Sequence, residues 1–331
     1  MSNSRTVVVT GASAGVGRAT AIAFGRRGWN VALIARGKEG LEGAKRDVEA
    51  AGGHALVLPL DVANSDAVFD AADKVVEQWG SIDVWVNDAM VTIFAPVKNI
   101  KPEEFRRVTE VTYLGQVHGT MAALKHMLRR NRGTIVQVGS ALSYRAIPLQ
   151  SAYCGAKFAI RGFTDALRSE LLHDKSRIRL TMVQLPAVNT PQFDWARSRM
   201  PRKLQPVPPI YQPEAIAGEI VRAALETPRE LWIGVSALKA IFGTMLLPLL
   251  GDRILATEGY SGQMTAEVAS PDRQDNLFDP VPSDPGAHGR FDRSARDVVI
   301  GFNPAHVRAG IACALIVVAA GLVVIASSRR A

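Results

Sequence analysis

Short apolar runs alternate with helix-length amphipathic segments along most of this chain. The runs predicted as strands cover residues 6–9, 31–34, 55–58, 84–86, 134–138, 179–183 and 231–233. Predicted helices begin near Gly15, Glu39, Ser65, Pro102, Gln116, Tyr153 and Pro213. Such alternation favours parallel strands joined by right-handed crossovers. The strands are apolar throughout, as expected when helices cover both faces of a sheet. We therefore predict an α/β fold with a doubly wound parallel sheet of about seven strands.

The first predicted strand runs directly into a glycine-rich loop, TGASAGVG, which precedes a predicted helix. A glycine at the strand exit, Gly11, permits a tight turn. Gly15 and Gly17 let backbone N–H groups at the helix N-terminus approach a pyrophosphate. An ordinary βα turn also uses glycine, but the strand–loop–helix context favours a dinucleotide-binding loop.

The residues that follow the second and third strands indicate which dinucleotide is bound. A carboxylate about 20 positions beyond the glycine loop would hold the ribose 2′-hydroxyl of NAD. Here the second strand ends in Ala35 and Arg36 instead. An arginine can pair with a 2′-phosphate, so the sequence favours NADP(H) over NAD(H); the alternative is a solvated surface arginine. Asp61, after the third strand, is positioned to accept a hydrogen bond from the adenine amino group.

A serine, a tyrosine and a lysine form a candidate catalytic group. Tyr153 and Lys157 lie four residues apart on a predicted helix and share one face, and Ser140 ends a predicted strand 13 residues before Tyr153. A lysine ammonium group next to a phenol favours the phenolate and brings the phenol pKa towards neutrality. A serine hydroxyl can donate to a carbonyl oxygen where negative charge develops. A tyrosine and a lysine at this spacing are commonplace on their own, so the pattern gains weight only in context.

These motifs together resemble the classical short-chain dehydrogenase/reductase family. Thr10, Gly11, Gly15 and Gly17 match its T-G-x(3)-G-x-G loop, Tyr153 and Lys157 match its Y-x(3)-K motif, and Ser140 has the family's spacing. The match covers roughly residues 5–235. The resemblance implies a Rossmann-type fold and an oxidoreductase that interconverts a carbonyl and an alcohol by hydride transfer and Ser–Tyr–Lys acid/base chemistry.

The resemblance also implies roles for individual residues. The expected catalytic residues are Ser140, Tyr153, Lys157 and Thr112. The expected cofactor-binding residues are Gly11, Ser13, Gly15, Val16, Gly17, Arg36, Asp61, Val62, Asn87, Ala89, Tyr153, Lys157, Pro186, Val188 and Thr190. Three departures matter: Met90 replaces a glycine of the family, Pro186 is followed by Ala187 where the family has a glycine, and Thr112 stands where the family has a catalytic asparagine. In that position, the Thr112 hydroxyl or backbone would hold the water that relays protons through Lys157.

Two interpretations of function follow from these residues. The first is a catalytically active oxidoreductase; the alternative is a cofactor-binding sensor or scaffold with weak or no catalysis, suggested by Thr112 and Met90. The segment 189–213 occupies the place of a substrate lid. Its apolar residues Phe193, Trp195, Met200 and Ile210 either line a pocket or pack the lid onto the core.

The C-terminal part of the chain has a different composition. Residues 256–305 are rich in Pro, Asp, Gly and Ser, which predicts a flexible linker between a catalytic domain (1–255) and a C-terminal segment (306–331). Residues 309–326 form an uncharged apolar run of 18 residues, close to the length of a membrane span. We expect a single-pass C-terminal anchor and, from that location, a lipophilic substrate. A buried core helix or an oligomer contact are the alternatives for this run.

The composition of the chain limits the cellular compartment and the binding partners that we expect. The N-terminus lacks an apolar run of signal-peptide length, and the two cysteines, Cys154 and Cys313, lie in segments unsuited to a mutual disulfide. We therefore expect a catalytic domain in the reducing cytoplasm. The net charge of +8 suits an anionic cofactor and anionic lipids, and no nucleic-acid motif or metal-ligand spacing accompanies it, so neither nucleic acid nor a metal is expected. A homodimer and a homotetramer both remain open.

Overall fold

The protein folds around an eight-stranded central sheet. A computed structural model describes residues 4–270, 272–307 and 309–310. The strands of the sheet are β1 (Thr6–Thr10), β2 (Asn30–Ala35), β3 (His54–Pro59), β4 (Val84–Asn87), β5 (Thr134–Ser140), β6 (Arg179–Leu185), β7 (Glu230–Ile233) and β8 (Gly301–Phe302). Their spatial order is β8-β7-β6-β5-β4-β1-β2-β3. All neighbouring pairs are parallel except β7 and β8.

Helices cover both faces of this sheet. They are α1 (Gly15–Gly25), α2 (Lys38–Ala50), α3 (Ser65–Trp79), α4 (Pro102–Thr109), α5 (Gly115–Arg130), α6 (Ser151–His173), α7 (Pro213–Glu226), α8 (Gly234–Leu246) and α9 (Pro248–Ser261). Alternate residues of a strand supply two separate cores. Val7 and Val9 pack towards α1, α2 and α7, whereas Val8 packs towards α3, α5 and α6. The prediction of a doubly wound parallel sheet of about seven strands is confirmed for β1–β7, and the structure adds β8, which is antiparallel to β7.

The strand order places a crevice at the carboxyl ends of β1 and β4, two neighbouring strands inside the sheet. The chain moves from β1 outwards to β2 and β3, and then returns to the other side of β1 through β4. Connections that leave neighbouring strands in opposite directions open a crevice beyond their carboxyl ends, where ligands bind in such folds. The glycine-rich loop after β1 and the Asn87–Asp88–Ala89–Met90 sequence at the end of β4 lie at this point.

The segment 256–305, for which composition predicts a linker, makes many contacts with the rest of the domain. Its first residues complete α9, and Met264–Val268 forms an antiparallel pair with Arg202–Leu204. Its last residues supply β8, which pairs with β7 through Trp232 and Phe302. The apolar content is low, but backbone pairing and ion pairs hold the segment in place, and these leave little trace in residue periodicity.

The structure does not describe the residues from position 311 onwards, so most of the predicted membrane anchor (306–331) lies outside the described residues. Among the residues that the structure does describe, no helix combines the length and the hydropathy that a membrane span needs.

Candidate active site

A cavity of about 690 Å³ follows the crevice at the carboxyl ends of the strands. Most of the residues expected at the site line it: Gly11, Ser13, Gly15, Val16, Arg36, Asp61, Val62, Ala89, Ser140, Tyr153, Lys157, Pro186, Val188 and Thr190. The cavity therefore joins the glycine-rich loop to the predicted catalytic group.

The glycine-rich loop leaves no room for side chains at two of its glycines. Gly11 has a φ of +74°, and a Cβ there would lie 2.9 Å from the Cα of Ala89. A Cβ on Gly17 would lie 2.3 Å from the carbonyl oxygen of Gly11. These contacts draw the loop close to β4 and to the start of α1, with the helix N-terminus facing the cavity. The residues present fit the diphosphate of a dinucleotide.

Three of the four predicted catalytic side chains, Ser140, Tyr153 and Lys157, line the same cavity. Ser140 ends β5, while Tyr153 and Lys157 lie on consecutive turns of α6. The Lys157 ammonium donates to the carbonyl oxygen of Val138 at 2.6 Å, and its Nζ lies 5.5 Å from the Tyr153 ring centroid. Burial raises the pKa of the Tyr153 phenol, and a hydrogen bond with Ser140 opposes this increase. A positive charge nearby would therefore be needed to favour the phenolate.

A carboxylate that the sequence reasoning did not assign to the site also faces Lys157. Burial raises the pKa of Asp88, and the charge of Lys157 opposes the increase. In return, burial lowers the pKa of Lys157, and the charge of Asp88 opposes that decrease. Asp88 lines the cavity directly after β4. The signal available in the sequence was a carboxylate at a strand end within the same motif as Asn87.

Three expected site residues do not line the cavity. Gly17 packs against Gly11, as described above. The Asn87 side chain donates to Thr120 Oγ1 and Gln137 Oε1, both at 3.0 Å, in a buried network beneath the site. The Thr112 hydroxyl bonds to the backbone of Val91. Asn87 and Thr112 thus contact the framework of the site in this structure.

Arg36 and Asp61 lie at the end of the cavity remote from Tyr153. The Arg36 guanidinium donates to the carbonyl oxygens of residues 276–278, and Asp61 pairs with Arg107. Arg18 on α1 is buried and pairs with Asp47 and with Asp284. The sequence analysis did not select Arg18. A charged residue on the apolar face of α1 could have drawn attention to it.

The remaining cavity wall is largely apolar and surrounds the catalytic group. It is formed by Leu142, Ile147, Phe193, Trp195, Val207, Ala240, Ile254 and Leu255, with Gln150, Gln205, Ser236 and Glu258 among them. Phe193 and Trp195 therefore line the pocket. Met200 packs with Phe94 and Phe193, and Ile210 pairs with Ala187, so these two stabilise the lid.

Comparisons with known proteins agree with this geometry. The chain is 31% identical over 277 residues to an uncharacterised oxidoreductase, YxnA, of Bacillus subtilis, with 82% of this chain and 77% of that protein covered. It is 28% identical to a fatty acyl-CoA reductase of Acinetobacter baylyi, covering 72% of this chain and 78% of the relative.

A solved structure shares the fold. An alcohol dehydrogenase from the archaeon Thermococcus sibiricus, complexed with 5-hydroxy-NADP, matches with a TM-score of 0.58 and 30% sequence identity over 69% of this chain and 95% of that one. The family model described as short chain dehydrogenase matches residues 5–200. The protein belongs to the short-chain dehydrogenase family and is an oxidoreductase of the type that interconverts an alcohol and a carbonyl.

Proposed function

We propose that this protein is an NADP(H)-dependent oxidoreductase that acts on a lipophilic alcohol or carbonyl compound. The observation that carries the proposal is the set of residues that line one cavity. In the strand order, Ser140 at the end of β5 lies between the glycine-rich loop after β1 and the lid after β6, and all three line this cavity with Tyr153, Lys157 and apolar residues of α9. An oxidoreductase needs this order of cofactor site, acid/base group and substrate pocket.

Each of the three polar side chains has a separate task in this mechanism. The nicotinamide of the bound cofactor supplies or accepts the hydride. Tyr153 gives its phenolic proton to the carbonyl oxygen in reduction and removes the hydroxyl proton in oxidation. Burial raises the pKa of Tyr153, and Lys157, whose Nζ lies 5.5 Å from the Tyr153 ring centroid, is the residue we assign to supply the positive charge that favours the phenolate. The Ser140 hydroxyl donates to the substrate oxygen, where negative charge develops.

The preference for NADP(H) depends on Arg36. Its side chain lines the cavity, and Ala35 stands before it, so a carboxylate that would repel a 2′-phosphate is missing from the end of β2. A guanidinium group has five N–H donors. Three of its hydrogen bonds lead to the backbone of residues 276–278, which leaves donor capacity for a phosphate. The Thermococcus relative was solved with an NADP derivative, in accord with this preference.

The lipophilic substrate is supported by the surface around the pocket. Ile254 and Leu255 of α9 line the cavity, and the same helix exposes Leu249 to 76% and Leu250 to 50%. Exposed apolar side chains on a helix that also lines a pocket are typical of contact with a membrane or a lipid. The uncharged run 309–326 in the sequence supports the same location. The Acinetobacter relative is named for a fatty acyl substrate.

A substrate screen tests the reaction and the substrate class together. The full chain in mild detergent is assayed with short-chain and long-chain aldehydes, ketones and alcohols, each with NADPH and NADH, by cofactor fluorescence. We expect turnover with long-chain substrates and NADPH. Turnover of short polar substrates alone would contradict the lipophilic assignment. NADPH binding without hydride transfer to any substrate would instead favour a sensor or scaffold.

The contact of α9 with lipid has its own test. Leu249→Ser/Leu250→Ser removes exposed apolar surface, so we expect the KM for a long-chain substrate presented in vesicles to rise, while a short soluble substrate is turned over as before. Leu172→Ser on α6, where the leucine is 72% exposed, is the matched control. An equal KM for the vesicle substrate in both variants would contradict the assignment.

A further inference from the structure

A segment that follows the family region crosses the remote end of the cavity. We call residues 275–286 the strap. The strap begins near Asp275, which pairs with Arg197 of the lid, and Leu277 is fully buried in the core on the α3 side of the sheet. It ends where the carbonyl oxygen of Gly286 accepts from the Gly15 amide at 3.2 Å. The strap therefore starts at the substrate lid and ends on the glycine-rich loop.

Three arginines hold the strap. Arg36 donates to the carbonyl oxygen of Phe278 at 2.6 Å and to that of Asn276 at 2.5 Å. Arg18 pairs with Asp284, and Arg46 reaches the same carboxylate at 3.3 Å. The Arg18 side chain is buried and is neutralised by Asp284 of the strap together with Asp47 of α2, so opening the strap would leave it with Asp47 alone. The charge of Arg18 thus favours the closed position of the strap.

The inner side of the strap belongs to the cavity. Its lining residues are Asn276, Pro280, Val281, Ser283 and Pro285, and they share the cavity with Gly15, Arg36 and Asp61. The Oδ1 atom of Asn276 is buried and has no hydrogen-bond partner within the described residues. A buried amide oxygen without a partner is costly, and a donor on a ligand would remove that cost.

We propose that the strap binds over the adenosine half of the cofactor, with Asn276 as a contact to it, so that cofactor entry and release require the strap to open. The inference rests on the proposed function, because it assumes a dinucleotide in this cavity. It adds binding residues that lie outside residues 5–200, where the family model matches. Exchange of cofactor then depends on breaking the contacts of Arg36 and Arg18 with the strap.

A reversible disulfide between the strap and α2 tests this directly. A Cβ at Gly37 would lie 3.5 Å from the Cβ of Pro280, which is within the range of a disulfide. Gly37 has a φ of −76°, which cysteine adopts without strain. The double variant Gly37→Cys/Pro280→Cys should therefore close the strap covalently under mild oxidation and release it under a reducing agent. The two single variants, treated identically, control for the substitutions and for the oxidant.

The measurement is the rate at which bound NADPH is released, followed by its fluorescence after addition of excess NADP⁺. We expect oxidation after loading to slow release in the double variant by about tenfold or more, because the closed strap blocks the route, and reduction to restore it. Equal release rates in the oxidised and reduced states would overturn the proposal. Failure of the disulfide to form would overturn the closed position of the strap. Absence of NADPH and NADH binding to the unmodified chain would instead count against the proposed function.

Discussion

The Thr112 hydroxyl is bonded to both backbone groups of Val91: it donates to the carbonyl oxygen at 2.8 Å and accepts from the amide at 3.1 Å. Thr112 lies in the π-helical turn Glu110–Leu114 that joins α4 to α5, and Val91 follows β4. Val91 and Val111 both line the cavity. The hydroxyl therefore ties two parts of the cavity wall together, and we interpret Thr112 as a positioning residue.

Replacing this hydroxyl should destabilise the protein. Thr112→Val keeps the shape of the side chain but leaves the buried Val91 amide and carbonyl groups without this partner, at a cost of about 1–3 kcal/mol in the free energy of unfolding. Thr181→Val is the matched control, because Thr181 is equally buried and its Oγ1 has no hydrogen-bond partner in the described part of the chain. Urea denaturation of both variants measures the difference. Equal stability of the two would contradict this role for Thr112.

Asp88 should set the alkaline limit of activity through Lys157. Burial lowers the pKa of Lys157, and the negative charge of Asp88 partly restores it. Asp88→Asn removes that charge, so the pKa of Lys157 falls further and the ammonium is lost at a lower pH. We expect the alkaline limb of the kcat profile to move to lower pH, with NADPH still bound. An unchanged limb would show that Asp88 does not act on Lys157 during turnover.

Arg36 should determine the choice between the two dinucleotides. Arg36→Gln removes the charge that pairs with a 2′-phosphate, so the KM for NADPH should rise by more than the KM for NADH. Any loosening of the strap affects both cofactors, and the ratio of the two KM values separates this effect from phosphate binding. Arg132→Gln, on the exposed turn before β5, is the control. An unchanged ratio would contradict the role of Arg36 in cofactor preference.

The sequence predicts the parts of this protein that depend on local patterns. Each of the seven predicted strands occurs in the sheet. Gly11 and Gly15 of the loop motif share a cavity with Tyr153 and Lys157, because spacing along a turn or a helix determines their geometry. The strap could not be predicted in this way. Arg36 contacts backbone carbonyl oxygens about 240 positions later in the chain, and carbonyl groups carry no residue-type signal.

Asn87 shows a second reason why the sequence does not predict the whole site. Its position in the motif suggested cofactor contact, but the amide lies in a buried network with Thr120 and Gln137, each on a different element. Whether a strand-end side chain faces the cavity or the core depends on the neighbouring strands and helices. Such information is tertiary, and single-sequence motifs do not contain it.

The exchange of Tyr153 for phenylalanine tests the central claim most directly. Tyr153→Phe keeps the ring and removes only the hydroxyl group that transfers the proton. We predict that turnover of the best substrate from the screen falls by about 100-fold or more, while the Kd for NADPH, measured by fluorescence, stays close to that of the unmodified protein. Turnover that is retained in this variant would contradict the Ser140–Tyr153–Lys157 mechanism.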